Sequence, residues 1–536
     1  MDAQRLASHG LVAPARRPAI PHSPQSVASL LDPVLETRPE AIALVSRHAR
    51  YRFDELDREV NRAARVLIDL GIEPGDRVAA SIGNHAEIVV AFLAAMRIGA
   101  IWVGINRILA PPEKAHMLTD SGARLFLGDP EMAAQVEGFR SELPALEALI
   151  AIRPGEPDCD WAARLSAVRN PSRPDFEVDP FAPAAIAYTS GTTGRPKGAV
   201  HSQHNMLLPG AVSLAMGRNG PEVTVGFALP MTILNIMILG PIAAAQAGAK
   251  CVMMDHNQAA TIAEWIRTER VVRFASVPAT YHDLLTRPEI DPDDLASLTQ
   301  PGVGGASCPD AFRSLFRERF GQEVQIGYGL TEAPTSVSHS DPRHAAPPGC
   351  AGEALPHLAL RIVDDSDAEQ PPDTEGEICI GPRAEGPWRD VYTPMLGYWN
   401  RPEATREALR EGWLHTGDVG LLDEQGRLFV RDRRSDLILR GGANVYPAEV
   451  ERVLHDDRRV VACAVLGVED PRLGERVVAA VQVADGATID DDELAAICAR
   501  ALAPYKVPER FVRVDAFPRN SMGKITKREL QSLFTD

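Results

Sequence analysis

The chain is 536 residues long, 45% hydrophobic and 24% charged, a balance that suits a globular protein with more than one domain and a large core. Its formal net charge of −17 excludes nonspecific nucleic-acid binding, which needs a basic face. A polyanionic ligand must therefore meet positive charge concentrated locally, at residues such as Lys197, Arg433 and Lys524.

In chain order, Met1 to Ser26 carries arginines and prolines without an apolar segment, and reads as a loosely ordered lead-in, not a secretory signal. Ala41 to Val45 and Tyr51 to Phe53 read as short strands. Phe53, Leu56, Val60, Ala64, Leu67 and Leu70 then fall at helical spacing, with Gly71 closing the helix. Arg77 to Ile82, Ile101 to Gly104 and Ala123 to Leu127 are expected strands. They alternate with helices at Glu87 to Ile98 and Pro112 to Leu118, which implies a parallel sheet covered by helices. Glu131 to Pro180, richer in Pro and Asp, is expected to end this first layered unit. A second alternating unit is expected from Ala184 through Cys251 to Met254, Val271 to Val277 and Glu323 to Ile326. Within it, Val223 to Ala249 carries no charge and is long enough to raise a transmembrane reading. Pro230, Asn235, Gly240, Pro241 and Gln246 interrupt it, so a strand, loop and helix crossing a core fit better. From Leu358 to Val430 short β segments dominate. The charge cluster Asp432 to Asp436 marks a restart, followed by strands at Val460 to Val468 and Arg476 to Val483 and a helix at Asp492 to Leu502. The expected architecture is α/β: a large N-terminal domain, 1–431, of layered α/β subdomains plus a β segment; a hinge, 432–436; and a small mobile α+β C-terminal domain, 437–536.

The chemistry concentrates in Tyr188-Thr189-Ser190-Gly191-Thr192-Thr193-Gly194-Arg195-Pro196-Lys197-Gly198. Its glycines let the backbone approach a ligand, while hydroxyls, amides and an ammonium converge as a phosphate cradle. It is not a Walker A loop, because Gly198 follows Lys197 where that motif needs Ser or Thr for magnesium. Cys159, Cys251, Cys308, Cys350, Cys379, Cys463 and Cys498 form no CxxC pair, which suits reduced thiols in a cytosol and no zinc site. His201 and His204 lack a third ligand and any HExxH pattern. The last three residues, Phe534-Thr535-Asp536, are not a peroxisomal tripeptide.

This loop resembles the signature of the adenylate-forming superfamily: acyl- and aryl-CoA synthetases, peptide-synthetase adenylation domains and beetle luciferases. Further matches follow in the family's order at Tyr328-Gly329-Leu330-Thr331-Glu332, Thr416-Gly417-Asp418, Asp432 to Glu451, and Asn520-Ser521-Met522-Gly523-Lys524. The resemblance, closest to acyl-CoA synthetases, implies an ATP-dependent ligase. It would join a carboxylate and ATP into an acyl-adenylate with release of pyrophosphate, then pass the acyl group to CoA with release of AMP. It implies ATP-binding roles for Thr189, Ser190, Gly191, Thr192, Thr193, Gly194 and Lys197. Gly304, Gly305 and Ala306 would form an adenine-side wall, Tyr328 and Gly329 would pack at adenine, and Thr331 would meet the α-phosphate. Asp418 and Arg433 are suited to the ribose, and Glu332 is a hard carboxylate suited to Mg²⁺. By the same resemblance Lys524 bridges the carboxylate and the α-phosphate, which makes Lys524, Thr331, Glu332 and Lys197 the catalytic set. Gly441 and Gly442 would pass the CoA arm after the small domain rotates, with Ser435 as hinge. Met231, Ile233, Leu234, Asn235, Met237, Ala306 and Ala333 are the expected acyl pocket; Ile236 and Val337 are also near it, and the pocket's apolar wall suits an uncharged tail.

Three departures from the family pattern bear on the pocket and the hinge. The hinge position is Ser435 where Asp or Lys is common; Leu229-Pro230-Met231-Thr232-Ile233 lacks the usual aromatic and His; and Gln203 stands where His is frequent. Two other readings stay open: an adenylation enzyme loading a separate carrier protein, since no carrier domain follows the small domain, and a catalytically silent nucleotide- and acyl-binding regulator. Luciferase-like oxidation fits less well. The expected partners are a carboxylic acid, ATP and CoA, with Mg²⁺ as cofactor, no nucleic acid, no transmembrane segment and a cytoplasmic location. A homodimer is an option the sequence leaves open.

Overall fold

The computed structural model describes residues 3–12, 17–189, 196–303, 310–334, 336–347, 349–433, 436, 438–440, 443–470, 473–502, 504–519 and 525–534. Within these residues the strands form three sheets. The first has seven strands, ordered Gly397–Tyr398, Lys197–Ser202, Pro183–Thr189, Ile101–Gly104, Arg77–Ser81, Leu125–Gly128 and Ala148–Ala151. The middle of this sheet is parallel, whereas Lys197–Ser202 runs antiparallel to both its neighbours.

The second sheet begins with a mostly parallel layer. Ile42–Val45 pairs with Lys250–Met253, which continues through Thr224–Phe227, Arg273–Ser276, Gln300–Val303 and Gln325–Tyr328. Beyond Tyr328 the sheet turns antiparallel, through Ser338–His339, Cys350–Ala354, Arg427–Arg433, Trp413–Leu422, Gly376–Pro382 and Leu358–Val363. The third sheet pairs Val460–Asp470 with Gly474–Val483 and adds Ile438–Arg440, Ala443–Val445 and Arg510–Arg513.

The helix Phe53–Asp69 shows how the sequence sets one face. Its first turn is closed by Glu55, whose carboxylate accepts from Arg52 N at 2.9 Å. Phe53, Leu56, Val60, Ala64 and Leu67 are all buried, each large side chain contributing about 1.5–3 kcal/mol. The helix Ala86–Arg97 is buried on almost every side, as expected of an element enclosed by packed layers. In the small domain, Asp490 caps the helix Asp491–Ala501 by accepting from Glu493 N at 2.8 Å. Its Leu494 and Cys498 pack on the strands beneath.

Three expectations need correction. The signature strand does not open a second unit: Pro183–Thr189 joins the first sheet beside Ile101–Gly104, and Ala148–Ala151, from the segment expected to end that unit, extends its edge. Conversely, Ile42–Val45 belongs to the second sheet. Local alternation fixes element type, but long-range register decides which sheet a strand joins. Third, the lead-in is partly built into the fold. Ala3–Ser8 is a helix, Leu6 and Leu11 are buried, and His9 stacks on Trp399 with ring centroids 4.0 Å apart. Val12 N donates to Leu396 O at 2.8 Å, so this segment braces the strand Gly397–Tyr398.

The uncharged stretch Val223 to Ala249 becomes the strand Thr224–Phe227, a turn, and helical turns from Leu234 to Gln246. Among the described residues, no helix is long and apolar enough to cross a membrane.

Candidate active site

A crevice of about 3350 Å³ gathers residues of the signature hairpin, Tyr328 to Glu332 and Thr416 to Asp418. It exceeds the roughly 300–1,000 Å³ of an ordinary small-molecule pocket, as a site for a nucleotide plus a second substrate requires. The strands Pro183–Thr189 and Lys197–Ser202 form a hairpin that presents Thr189 and Lys197 directly opposite each other at its mouth. The residues between them, including Ser190, Gly191, Thr192, Thr193 and Gly194, lie outside the described residues.

Lys197 Nζ stands 5.3 Å from the centroid of the Tyr398 ring. The Tyr398 hydroxyl donates to Glu332 Oε1 at 2.8 Å, and Met395 N donates to Glu332 O at 3.0 Å. Tyr398, Glu332 and Thr331 all line the crevice. The sequence reading missed Tyr398, which lies between the motifs and acquires its role only because Gly397–Tyr398 pairs with Lys197–Ser202.

Tyr328 ends the strand Gln325–Tyr328, and its hydroxyl donates to the Asp418 carboxylate. Asp418 is 95% shielded from solvent yet borders the crevice. Its strand register sets it opposite Arg433, so the two expected ribose residues are adjacent in the backbone; the Arg433 side chain lies outside the description. Three contacts hold the turn before Asp418. Thr416 Oγ1 donates to Ile378 O at 2.8 Å and accepts from Asp418 N at 3.1 Å, and Gly417 N donates to Glu377 Oε1 at 3.0 Å. Gly417 has φ +72°, a conformation that glycine adopts without strain.

Glu377 is a second residue that sequence reading missed. Burial opposes its charge, but hydrogen bonds from His415 and Gly417 N and the nearby Arg410 outweigh that and hold the carboxyl below its usual range. With Cys379 and His415 it forms a set of metal-type donors whose ligand atoms lie within 4.8 Å of one another. The Arg410 guanidinium already contacts both His415 Nδ1 and Glu377 Oε2. The geometry is that of a hydrogen-bonded brace beneath Gly417.

Of the acyl-pocket residues, Ile233, Leu234 and Asn235 line the crevice, together with Ile236. Met231, Met237, Ala333 and Val337 do not; they are buried in the core. Ala306, with Gly304 and Gly305, lies outside the described residues, as do Ser435, Gly441, Gly442 and Lys524. Arg519 and Ile525, which flank the Lys524 segment, pair as a β-bridge and line the crevice.

Two of the departures are structural. Gln203 turns away from the crevice: its Oε1 accepts from Ala28 N at 2.8 Å and its Nε2 donates to Met96 O at 2.9 Å. Met231 N donates to Asn84 Oδ1 at 2.9 Å, pinning the Leu229–Met231 segment. His201 and His204 are buried; burial lowers His201 to about 4, and His204 Nε2 lies 2.9 Å from Val391 O.

Residues 31–399 match the family described as AMP-binding enzyme, and residues 449–524 match AMP-binding enzyme C-terminal domain. The chain belongs to the AMP-binding, adenylate-forming enzyme family. A feruloyl-CoA synthase from an Amycolatopsis species is 35% identical over 506 residues, covering 94% of this chain and 98% of that one. The fatty acid–[acyl-carrier-protein] ligase ScoC of Streptomyces coeruleorubidus is 33% identical over 504 residues, covering 92% and 94%. The ATP-bound crystal structure of MatB from Rhodopseudomonas palustris superposes with a TM-score of 0.85 at 27% identity, covering 95% of this chain and 99% of that one.

Proposed function

We propose that this protein is an ATP-dependent acyl- or aryl-CoA ligase that works through an acyl-adenylate. The observation that carries the reading is the convergence of Thr189 and Lys197, Thr331 and Glu332, and Tyr328 and Asp418 on one crevice. The reaction needs no acid–base pair, because the attacking carboxylate is already ionised. The protein must instead align two anions and offset their charge. Lys197 supplies a cation and the hairpin supplies donors at the phosphates. The Tyr328–Asp418 pair forms the base-and-ribose side, with Glu377 holding the Gly417 turn.

Glu332 suits Mg²⁺: it is a crevice carboxylate with one oxygen anchored by Tyr398, and among the described residues it makes no ion pair. When bound, Mg²⁺ would offset phosphate charge. In this reading Lys524 serves adenylation, Gly441 and Gly442 serve the thiol step, and 432–436 is the hinge between a large domain, 1–431, and a small one, 437–536. CoA as acceptor, a cytoplasmic location and a homodimer belong to the same proposal.

Carboxylate-dependent exchange of pyrophosphate into ATP tests the first half-reaction, and CoA-dependent AMP formation tests the second. Exchange without CoA-dependent turnover, restored by a carrier protein, would favour the carrier-loading reading that ScoC represents among the relatives. Absence of exchange with every acid would favour a silent binding protein.

A further inference from the structure

We propose that Arg218 and His339 form the subsite that reads the far end of the acid, selecting acids whose tail carries an oxygen hydrogen-bond acceptor; this rests on the ligase reading above. The strand Gln325–Tyr328 divides the crevice by its own alternation. Side chains at successive positions point to opposite faces, so Tyr328, bonded to Asp418, marks the nucleotide face and Gly327 the other. Directly opposite Gly327 in the antiparallel register stands His339, on the same face of the sheet. A Cβ on Gly327 would meet His339 Cδ2 at 2.9 Å and Nε2 at 3.2 Å. Glycine here admits the imidazole edge to the crevice floor.

The other imidazole nitrogen is taken: Arg218 Nη1 donates to His339 Nδ1 at 2.6 Å. Burial, with the charges of Arg218 and Arg273, pushes His339 down to about 3. The ring is therefore neutral, with Nδ1 as acceptor and Nε2–H as donor. Arg218 itself follows the helix Gln203–Ala215, whose Pro209 and Val212 line the same crevice.

This wall is positive, and among the described residues neither Arg218 nor Arg273 is paired with a carboxylate. The carboxylate that acts on Arg218 over distance, Asp341, is clamped by Arg343 at 2.6 Å. Among the described residues Arg218 makes no ion pair. Arg273 adds a second cation beside it, bonded to Asn219 Oδ1 and Gln300 Oε1 and to Arg218 O. Neutral acceptors meet both guanidiniums, but among the described residues no carboxylate pairs with either, and holding two cations side by side in a partly desolvated wall is then costly. Ile233, Leu234 and Ile236, which line the same crevice, are apolar. An acid whose body lies along these residues and whose tip carries an acceptor satisfies both groups, which adds a polar end to the expected pocket.

The test uses the full-length protein and matched acids: 3-phenylpropanoate with its para-hydroxy and para-carboxy forms, and straight-chain alkanoates with their ω-hydroxy and ω-carboxy forms over a ladder of lengths. Pyrophosphate exchange gives kcat/KM, and equilibrium dialysis of labelled acids gives Kd without turnover. A charge-assisted hydrogen bond predicts that at least one acceptor form is favoured over its bare parent by about ten- to a hundredfold. The hydroxy and carboxy arms show whether the acceptor is neutral or anionic. Arg218→Met should erase that ratio, Arg218→Lys should keep part of it, and His339→Leu should reduce it independently, in proteins whose melting temperature matches the wild type. Preference for bare acids throughout, or a ratio that survives both Arg218→Met and His339→Leu, overturns the proposal. If no acid supports exchange the ligase reading fails, and dialysis still decides whether the subsite exists.

Discussion

Tyr398→Phe separates the carboxylate brace from the rest of the phosphate site. The substitution keeps the aromatic face 5.3 Å from Lys197 Nζ and removes only the hydroxyl that donates to Glu332 Oε1 at 2.8 Å. A hydrogen bond to a charged group is worth about 1.5–3 kcal/mol. Both side chains are half-buried, so solvent compensates part of the loss and the lower bound, about 1.5 kcal/mol, applies. That corresponds to about a tenfold loss in the population of the correctly oriented carboxylate. It also agrees with the roughly 10–100-fold that a partner of a metal ligand typically contributes to metal affinity. The Mg²⁺ concentration for half-maximal pyrophosphate exchange should therefore rise about tenfold, with the rate recovering at saturating Mg²⁺. Tyr398→Leu, which also removes the face presented to Lys197, should raise KM for ATP as well. An unchanged Mg²⁺ midpoint in Tyr398→Phe, or a rate loss that no Mg²⁺ concentration restores, would refute the assignment of Glu332.

Lys524→Ala should lower pyrophosphate release by on the order of 10²–10³, yet still convert supplied acyl-adenylate and CoA to thioester. Equal losses in both single-turnover assays would count against domain alternation. Ser435→Pro fixes φ near about −65° and should slow thioester formation more than adenylation; undiminished rates in both would place the hinge elsewhere. Asp255 offers a pH test. Burial opposes its charge, but hydrogen bonds from Arg47 and Trp265 outweigh this and hold it at about 2. The depressed pKa contributes stability above the ordinary carboxylate range, and that contribution is lost as pH falls through about 4 towards 2. Arg47→Met should therefore lower the urea midpoint at neutral pH, with the difference from wild type closing below about pH 2; a difference independent of pH would show that the pair does not set it.

The loops that meet at the crevice were legible because each is a local cluster of residue types. Thr189 and Lys197, Tyr328 to Glu332, and Thr416 to Asp418 each announce themselves within a few residues. Helix Phe53–Asp69 was legible for a similar reason, since its buried face repeats with the helical period. Tyr398 and Glu377 carry no such signal. Each matters through one hydrogen bond, to Glu332 and Gly417, made across 66 and 40 residues respectively. Gln203 shows the opposite error. Its position relative to the signature suggested the pocket, but its amide is spent on Ala28 and Met96, and position in a motif does not say which way a side chain turns.

The strand Gln325–Tyr328 shows where the limit falls. Its sequence dictates that Gly327 and Tyr328 face opposite ways, and from that alone one face of the crevice must differ from the other. What stands across from each is fixed by partners outside the motif. The antiparallel register opposes His339 to Gly327, and Arg218, which bonds His339 from the end of a distant helix, lies 121 residues away in sequence. Asp418 meets Tyr328 from another strand of the same sheet. In the proposed reading, activation belongs to the face that bears Tyr328, because any acid must be activated in the same way. The choice of acid would then belong to the face that bears Gly327 and His339, where substitution can alter the substrate without disturbing the phosphate site. Replacing Arg218 should consequently change which acids are used, whereas replacing Asp418 should weaken ATP use with every acid alike.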